Sequence, residues 1–307
     1  MRKRRHHYVP KFYLEPWSQS GWIFCLRKGE IKQLGLKNVG VEEDFYAVSD
    51  LTPEDIEFLR RGVIAPSNEG AHKIHESLLR DFALVAYANR LLKQRPEMAD
   101  EAKKVIRETV SNLDENYHEA IEHDLQKALR CMLSGSVEFF SDVSLAGSFL
   151  RAMALFSLRT KATREAMKFR VPMPLAGASI DRIFGPMIHM LAVNVGGNLL
   201  VDRARFRIVL LHNETATPFI TCDQPVINIH EHRDEMGTPR DVEWYMPLSP
   251  KMAMLYVLAE NAPESHCATI AEAEVRRYNA RMDEYSHDQL YGNSQESLLP
   301  FAGTVSG

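Results

Sequence analysis

A long stretch of helical periodicity, uninterrupted by strand patterns, constrains the fold of this chain most. From Thr52-Pro53-Glu54-Asp55 to about residue 169, apolar residues recur three and four positions apart, as Leu78, Phe82 and Val85 do. The stretch opens with a threonine N-cap, a proline at the first helical position and acids in the first turn, which together favour a helix start. The sequence therefore predicts a central helical bundle.

Strand patterns occupy both ends of the chain. Residues 8 to 48 carry short apolar and aromatic runs separated by turn-forming residues, and residues 22 to 33 predict a β-hairpin around Lys28-Gly29. Three later segments rich in valine, isoleucine and leucine predict the strands of one sheet: 205–212, 218–230 and 252–258.

Together these patterns predict an α+β fold rather than regular βαβ alternation. Residues 1 to 50 are expected to be β-rich and residues 52 to 197 to be helical. Residues 205 to 307 are expected to form an antiparallel or mixed sheet with a closing helix from Ile270 to about Tyr285. A proline-rich break at residues 172 to 177 precedes one helix that we expect to end at Gly196-Gly197.

Composition excludes several classes of protein. The 307 residues suffice for one large domain or two smaller ones, and a net charge of -4 argues against coating nucleic acid through bulk basicity. The basic cluster at residues 2 to 5 leaves a local nucleic-acid contact open. Four separated cysteines without a CxxC pair argue against a zinc ribbon or a disulfide framework. With no secretory h-region and no apolar run of about 18 residues, we expect a cytoplasmic protein without membrane contact.

Two adjacent histidines, His6 and His7, precede an apolar and aromatic run that favours a buried strand, so we expect the start of the chain to be docked. Successive side chains on an extended segment point to opposite faces, so one imidazole should be interior and the other wet. An imidazole in a cleft can ligate a metal ion or act as a general base near neutral pH. The alternative is structural, with one histidine hydrogen-bonded in the core and the other solvated.

Asp223 lies where a predicted strand stops. It follows the apolar segment Pro218-Phe219-Ile220-Thr221-Cys222, and Pro225 cannot extend a central strand. A carboxylate at such a point commonly faces a cleft, which makes Asp223 the leading site candidate. It can equally accept hydrogen bonds from the backbone of its own turn.

Other carboxylates can complete a metal site with Asp223. Glu43 belongs to the acidic run Glu42-Glu43-Asp44, and Glu69 starts a predicted helix. Two or three carboxylates with a histidine suit hydrolysis assisted by Mg²⁺ or Mn²⁺, since hard cations take oxygen ligands. We therefore predict Asp223, Glu43 and Glu69 as ligands of Mg²⁺ or Mn²⁺, with solvated loop charge as the alternative for the acidic run.

Basic residues cluster in Arg159-Thr160-Lys161-Ala162-Thr163-Arg164, where a predicted helix ends. Cations suit the negative end of a helix dipole, and a guanidinium also offers two planar donors to an anion. Lys161 and Arg164 are accordingly predicted to bind phosphate. Arg159 lies three residues after Phe156 on the apolar face, so we expect it to point inward to an acidic partner or an anionic ligand.

Several catalytic signatures are missing from the sequence. It contains no GxGxxG, GxxxxGK[ST], HExxH or GxSxG motif, so the nucleotide-fold, zincin and serine-hydrolase classes lose support. His72 and His75, three residues apart on a predicted helix, can share a metal ion, but no matched third ligand follows. We expect this pair to lie at the surface.

Five sequence blocks occur together along the chain: His6-His7-Tyr8-Val9-Pro10-Lys11-Phe12-Tyr13-Leu14, Phe45-Tyr46, Arg159-Thr160, Phe219-Ile220-Thr221-Cys222-Asp223-Gln224-Pro225-Val226 and Pro247-Leu248-Ser249-Pro250. In these blocks the chain resembles a large, chiefly bacterial family of unknown function that opens with the His-His-Tyr-Val-Pro block. Asn279 resembles the asparagine of the family's late helix. Lys11 and Gln224 stand where glutamine and asparagine are common. The resemblance spans nearly the whole chain and implies one domain over residues 1–307.

The resemblance implies no established reaction, so the residues have to supply one. Our first hypothesis is a metal-dependent hydrolase, a phosphodiesterase or nuclease in a bacterial defence or toxin setting, with His6, His7, Asp223 and Arg159 as catalytic residues. The alternative is a non-catalytic binding or sensing module in which the His-His-Tyr-Val-Pro block is structural. A third is an antitoxin-like protein that binds another chain.

Overall fold

A computed structural model of the chain describes residues 5–43, 45, 48–170, 177–230 and 241–303. Arg2 to Arg4, Asp44, Tyr46 and nearly all of the proline-rich break lie outside the described residues. The described part is mixed α+β, with short N-terminal strands, central helices and a C-terminal mixed sheet and helix, as predicted.

The elements follow one another as two β-rich ends around a helical middle. The first end contains β1 (Arg5–His7), α1 (Lys11–Leu14), β2 (Trp22–Arg27), β3 (Glu30–Gly35) and β4 (Val41–Glu43). The middle contains α2 (Pro53–Leu59), α3 (Glu69–Gln94), α4 (Asp100–Leu133), α5 (Val143–Leu158), α6 (Lys161–Arg170) and α7 (Ile180–Val201). The second end contains β5 (Phe206–His212), β6 (Thr221–Cys222), β7 (Ile227–Asn228), β8 (Trp244–Ser249), β9 (Met252–Leu258), β10 (Cys267–Thr269), α8 (Glu272–Tyr285) and β11 (Leu290–Gly292).

The strands form three sheets. β1 pairs with β4, a five-stranded sheet has the order β10-β5-β9-β8-β7, and a four-stranded sheet has the order β3-β2-β11-β6. β10 and β5 pair in parallel, and the other pairs are antiparallel. The predicted hairpin is confirmed as β2–β3, with positive φ at Lys28 and Gly29 as a type I′ turn requires.

The prediction of one sheet for residues 205 to 258 is wrong. β6 joins the four-stranded sheet, whereas β5, β7, β8 and β9 lie in the five-stranded sheet. The cause is the segment between β6 and β7, where Pro225 interrupts the strand and allows the chain to change sheets.

The predicted helix start at Thr52 is confirmed by its hydrogen bonds. The Thr52 hydroxyl accepts from the backbone N–H of Asp55 at 3.2 Å, and the Asp55 carboxylate accepts from the Thr52 N–H at 2.9 Å. This capping box satisfies two donors that a helix end would otherwise leave without partners.

Helix α7 does not end at Gly196-Gly197 as predicted but continues to Val201. Gly196 serves close helix packing instead of termination, because a Cβ at this position would lie 2.7 Å from the Cα of Arg151 on α5. Among the described helices, α7 is long and apolar enough to cross a membrane by length and composition. More than half of its most apolar window, 56%, is buried inside the protein, which is typical of a core helix.

The segment that follows β1 belongs to the largest buried cluster. Tyr8, Tyr13 and Trp17 are at most 2% exposed and share this cluster with Met153 of α5 and Tyr291 of β11. The predicted docking of the start of the chain is therefore confirmed, and it places β1 against the helical middle.

Candidate metal centre

The two leading histidines occupy different environments. In β1, which pairs with β4, His6 is 1% exposed, whereas His7 is only partly buried, as strand alternation predicts. His6 Nε2 lies 3.4 Å from Glu115 Oε2 on α4. Burial, and then the charges of Lys11 and Arg5, lower the pKa of His7 to about 4. His6 is therefore directed at the helices, and His7 stays a neutral imidazole near neutral pH.

Arg159 ties the leading strand to the helices. It caps the C-terminus of α5, and its guanidinium is almost fully buried. Nη2 donates to the carbonyl of His7 at 3.1 Å, and Nε donates to the carbonyl of Tyr8 at 3.2 Å. Nη1 lies 2.7 Å from Glu122 Oε1 on α4. The inward orientation predicted for Arg159 is confirmed, and Glu122 is its acidic partner.

The same guanidinium sets the orientation of His118. Arg159 Nη1 lies 3.3 Å from His118 Nδ1, and because a guanidinium only donates, Nδ1 accepts. The opposite nitrogen, Nε2, faces Asp114 Oδ1 at 3.5 Å. Burial, together with His189 and Arg159, holds the pKa of His118 well below its usual range. His118 is accordingly a neutral ring whose Nε2 carries the proton.

Asp114, His118 and His189 form a buried group that we call the Asp114 cluster. One ligand atom from each residue lies within 4.8 Å of the others, and the three residues are 2 to 3% exposed. His189 Nε2 is 2.7 Å from Asp114 Oδ1. Asp114 and His118 are four residues apart on α4 and therefore share one face of that helix, while α7 supplies His189.

Gly185 gives the Asp114 carboxylate its place against α7. A Cβ on Gly185 would lie 2.6 Å from Asp114 Oδ2, which is inside van der Waals contact. A narrow cleft lined by Asp114, Gly185, Arg164 and Arg182 reaches this point and leaves about 10 Å³ for the centre of a water molecule. That is room for a single water.

The Asp114 cluster could hold a metal ion. In a tetrahedral site with ligand distances of about 2.1 Å, two ligand atoms lie roughly 3.4 Å apart. The 3.5 Å between His118 Nε2 and Asp114 Oδ1 matches this separation, whereas the 2.7 Å between His189 Nε2 and Asp114 Oδ1 is a hydrogen-bond distance that has to widen when an ion binds. Two imidazoles and a carboxylate are a common donor set for transition metals. The contact of Arg159 with His118 Nδ1 opposes binding through Nε2, so it has to open when an ion binds, and Glu122 remains as the partner of Arg159.

Asp223 does not belong to this group of side chains. Its buried carboxylate accepts three backbone N–H groups, from His287 at 2.8 Å, Asp288 at 2.7 Å and Gln289 at 3.2 Å. Burial raises the pKa of Asp223, although the N–H groups of His287 and Asp288 oppose this. The environment matches the turn-stabilising alternative, with donors from the segment between α8 and β11 instead of from its own turn.

The other predicted ligands lie at separate places. Glu43 is exposed at the end of β4, opposite Arg5 in the ladder, and Glu69 is exposed in the first turn of α3. The structure therefore places these carboxylates at the surface, whereas it groups His6 and Arg159 with the Asp114 cluster.

The two predicted phosphate-binding residues are paired with protein groups. Lys161 Nζ donates to Asp288 Oδ2 at 2.8 Å. Arg164 donates to the carbonyl of Phe45 at 3.3 Å and to Asp181 at 3.4 Å, and its guanidinium lies over the rings of Phe45 and Phe184. Of the two, Arg164 lines the cleft that reaches Asp114.

The chain was compared with protein-family models, curated proteins and solved structures. A family model described as Protein of unknown function (DUF4238) matches residues 5–174 and 188–296. The chain belongs to this family. No curated protein and no solved structure matches it. The matched ranges of DUF4238 include Asp114, His118 and His189.

Sequence reasoning missed the Asp114 cluster of this DUF4238 chain. The available signal was the four-residue spacing of Asp114 and His118, which aligns two ligands on a helix face, but the third ligand is 71 positions later. The histidine pair that was considered, His72 and His75, has another role. His75 is fully buried with Nε2 2.7 Å from Asn194 Oδ1, so its predicted surface position is wrong. Helix α7 packs against α3 and supplies Asn194 as the hydrogen-bond partner of His75.

Proposed function

We propose that this chain is a metal-dependent hydrolase whose ion is held by Asp114, His118 and His189. The observation that carries the proposal is the convergence of these three buried side chains from α4 and α7 within 4.8 Å. A bound divalent ion with three protein ligands keeps a position for water and supplies a Lewis acid for hydrolysis.

The chain's own residues supply the remaining groups. His6 and Glu115, with Nε2 and Oε2 3.4 Å apart, place an imidazole and a carboxylate side by side next to α4. Arg159 holds the leading strand beside the Asp114 cluster through the carbonyls of His7 and Tyr8. Arg164 and Arg182 line the narrow cleft next to Asp114, where Arg164 donates to Asp181 and Arg182 donates to both carboxylate oxygens of Asp55. Guanidinium groups bind anionic oxygens in pairs, so a phosphodiester at the mouth of this cleft would take the place of these carboxylates. We therefore propose a phosphodiester as the substrate, with nucleic acid as its natural source.

The donor set also bears on the choice of ion. Mg²⁺ prefers oxygen ligands in a near-octahedral arrangement, whereas imidazole suits zinc, copper, iron and nickel, and the Asp114 carboxylate also suits manganese. With two imidazoles among three ligands, we propose Mn²⁺ or Zn²⁺ rather than Mg²⁺.

The test separates metal binding from hydrolysis. Purified protein is stripped of metal, titrated with Mn²⁺, Zn²⁺ or Mg²⁺ by calorimetry, and assayed with bis(p-nitrophenyl) phosphate, single-stranded DNA and RNA. We expect the wild type to bind one Mn²⁺ or Zn²⁺ per chain and to cleave only with the metal present. In His189→Gln the affinity for the ion and the cleavage rate should each fall at least about tenfold. The matched control is His123→Gln, an exposed histidine on α4. A stripped wild type that binds none of these ions would overturn the metal site, and binding without cleavage would overturn the hydrolase.

A second candidate function rests on a different observation. Three side chains of the leading segment bond across the molecule: Tyr8 Oη accepts from Gln289 Nε2 at 2.8 Å, Tyr13 Oη donates to the carbonyl of Pro247 at 2.9 Å, and Trp17 Nε1 donates to the carbonyl of Phe219 at 2.8 Å. These contacts favour a non-catalytic binding module in which the His-His-Tyr-Val-Pro block is a structural strap. Under this proposal His189→Gln alters stability while cleavage stays absent from every variant.

A further inference from the structure

A larger pocket lies between α6 and the region where β7, β8 and the end of α8 meet. Its volume is about 550 Å³, within the range of roughly 300 to 1,000 Å³ typical of small-molecule sites. We call it the α6 pocket. The side chains that carry the argument are Glu165, Ala166, Phe169, Gln224, Trp244 and His287.

The apolar part of the α6 pocket includes aromatic side chains from α6 and from β8. Phe169, on the last turn of α6, is 90% exposed and lines the opening, while Trp244 at the start of β8 is almost fully buried. Val226 and Ile227 of the sheet side and Ala166 of α6 complete an apolar wall. An exposed aromatic ring that continues the lining of a concave site indicates a ligand with an apolar face.

The polar part of the α6 pocket includes two side chains with acceptor oxygens, Gln224 and Glu165. Gln224 Nε2 donates to the carbonyl of Tyr285, which fixes the amide, and Oε1 has no hydrogen bond within the described part of the chain. His287 Nε2 lies 3.2 Å from Glu165 Oε2, and both side chains remain partly exposed. The fixed amide and the carboxylate therefore present oxygen atoms to a ligand that donates.

Charge excludes anionic ligands from the same place. Among the described residues that line the α6 pocket there is no lysine or arginine, while Glu165 contributes a carboxylate. A phosphate or carboxylate group would be repelled here. The described part of the pocket thus combines aromatic side chains and oxygen acceptors with no lysine or arginine.

We propose that the α6 pocket binds an uncharged planar heteroaromatic molecule with an exocyclic amino group, the class to which adenosine and cytidine belong. The ring packs against the aromatic and aliphatic side chains of the lining, and the amino group donates to Gln224 Oε1 and to the Glu165 carboxylate. The ligand enters as a nucleoside and not as a nucleotide, because the described part of the lining has no lysine or arginine and contains the Glu165 carboxylate. This inference does not depend on the metal centre, whose residues are separate from those of the pocket.

The test uses two pairs of nucleosides that differ in the amino group. Binding of adenosine, inosine, cytidine and uridine to the full chain is measured by calorimetry, with Trp fluorescence as a second readout. We expect adenosine and cytidine to bind at least about fivefold more tightly than inosine and uridine, since the two hydrogen bonds donated by the amino group are lost in inosine and uridine.

Variants locate the binding. Ala166→Trp fills the α6 pocket and should abolish adenosine binding, whereas Ala102→Trp, the same substitution at an exposed position of α4, should leave it unchanged. Gln224→Leu keeps the approximate volume of the side chain and removes one of the two acceptors, so adenosine should bind more weakly than to the wild type but more tightly than inosine does. His189→Gln should bind adenosine as the wild type does.

Three results overturn the proposal: no nucleoside binds, inosine and uridine bind as tightly as their amino partners, or binding survives both Ala166→Trp and Gln224→Leu in folded variants. Tighter binding of AMP than of adenosine would contradict the charge argument and would also overturn it. A failure of metal binding, measured separately, leaves these outcomes unaffected.

Discussion

Two buried aspartates in this chain, Asp114 and Asp223, have the same chemistry and almost the same exposure but different partners. Asp114 faces the imidazoles of His118 and His189. Asp223 faces the backbone N–H groups of residues 287 to 289. An imidazole can release its proton and turn its lone pair to a metal ion, whereas a backbone N–H cannot.

The difference explains why burial alone does not identify a site. The donors around Asp114 can be exchanged for an ion, so the Asp114 cluster is chemically adjustable. The donors around Asp223 are permanent, so its carboxylate joins β6 to the segment between α8 and β11 and stabilises the fold. A buried carboxylate is a stronger functional candidate when its partners are titratable side chains.

The largest expected effect is the loss of stability in Asp223→Ala. The substitution leaves three backbone N–H groups without their acceptor in a buried place, and each such group costs about 1 to 3 kcal/mol. We expect the free energy of unfolding to fall by at least about 3 kcal/mol, as measured by urea denaturation. Asp114→Ala should have a smaller effect on stability, because both histidines can change tautomer, but should abolish metal binding.

The exposed Asp202 at the end of α7 is the control for removing a carboxylate, and Asp202→Ala should change stability by less than about 0.5 kcal/mol. If Asp223→Ala instead kept full stability and lost an activity of the wild type, the comparison between the two aspartates would be reversed.

The next largest effect concerns Gly185. In Gly185→Ala the new methyl group would lie 2.6 Å from Asp114 Oδ2, so the carboxylate or α7 has to move. We expect a loss of about 2 kcal/mol in the free energy of unfolding and weaker metal binding. Gly197→Ala is the matched control on the same helix, since its Cβ meets nothing within 4 Å and should stabilise α7 by about 0.5 kcal/mol. Equal effects of the two substitutions would show that Asp114 does not depend on Gly185.

Local patterns predicted the elements well because their causes are local. The capping box at Thr52 and the turn at Lys28-Gly29 each depend on a few neighbouring residues. The prediction that α7 ends at Gly196 was wrong because the sequence does not show that α5 packs against that position. The order of strands was likewise hidden, since β2 pairs with β11 from the other end of the chain.

The candidate site was predicted less well, because its residues come from parts of the chain that are far apart in the sequence. Arg159 was expected to point inward from its place on the apolar face of α5, and it does. His6 was singled out, but its neighbour Glu115 lies over one hundred residues away along the chain. The Asp114 cluster requires α4 and α7 to be side by side, and no spacing in one sequence reports that arrangement.

A smaller effect is expected at the leading histidines. His6→Ala removes a buried imidazole that lies beside Glu115, and we expect a loss of about 1 to 3 kcal/mol, seen as a fall of a few degrees in the melting temperature. His7→Ala, the neighbouring substitution on the other face of β1, should lower the melting temperature less. Equal melting temperatures for His6→Ala and the wild type would contradict the structural reading of His6.

The smallest effect is the pH dependence contributed by His7. Its pKa is lowered from 6.5 to about 4 in the folded chain, first by burial and then by Lys11 and Arg5. As the pH falls from 6.5 towards 4, the unfolded chain binds a proton here and the folded chain does not, so stability is lost in this window and is unaffected above it. Because the side chain is partly exposed, we expect about 1 kcal/mol from this group.

Urea denaturation of the wild type and His7→Gln across this range measures that contribution. His118 also has a lowered pKa and is present in both proteins, so the difference between the two curves isolates His7. We expect the stability of His7→Gln to fall less steeply on acidification, while the two proteins run parallel above pH 6.5. Parallel curves over the whole range would mean that His7 titrates alike in the folded and unfolded chains, and the environments of His6 and His7 would then differ in packing alone.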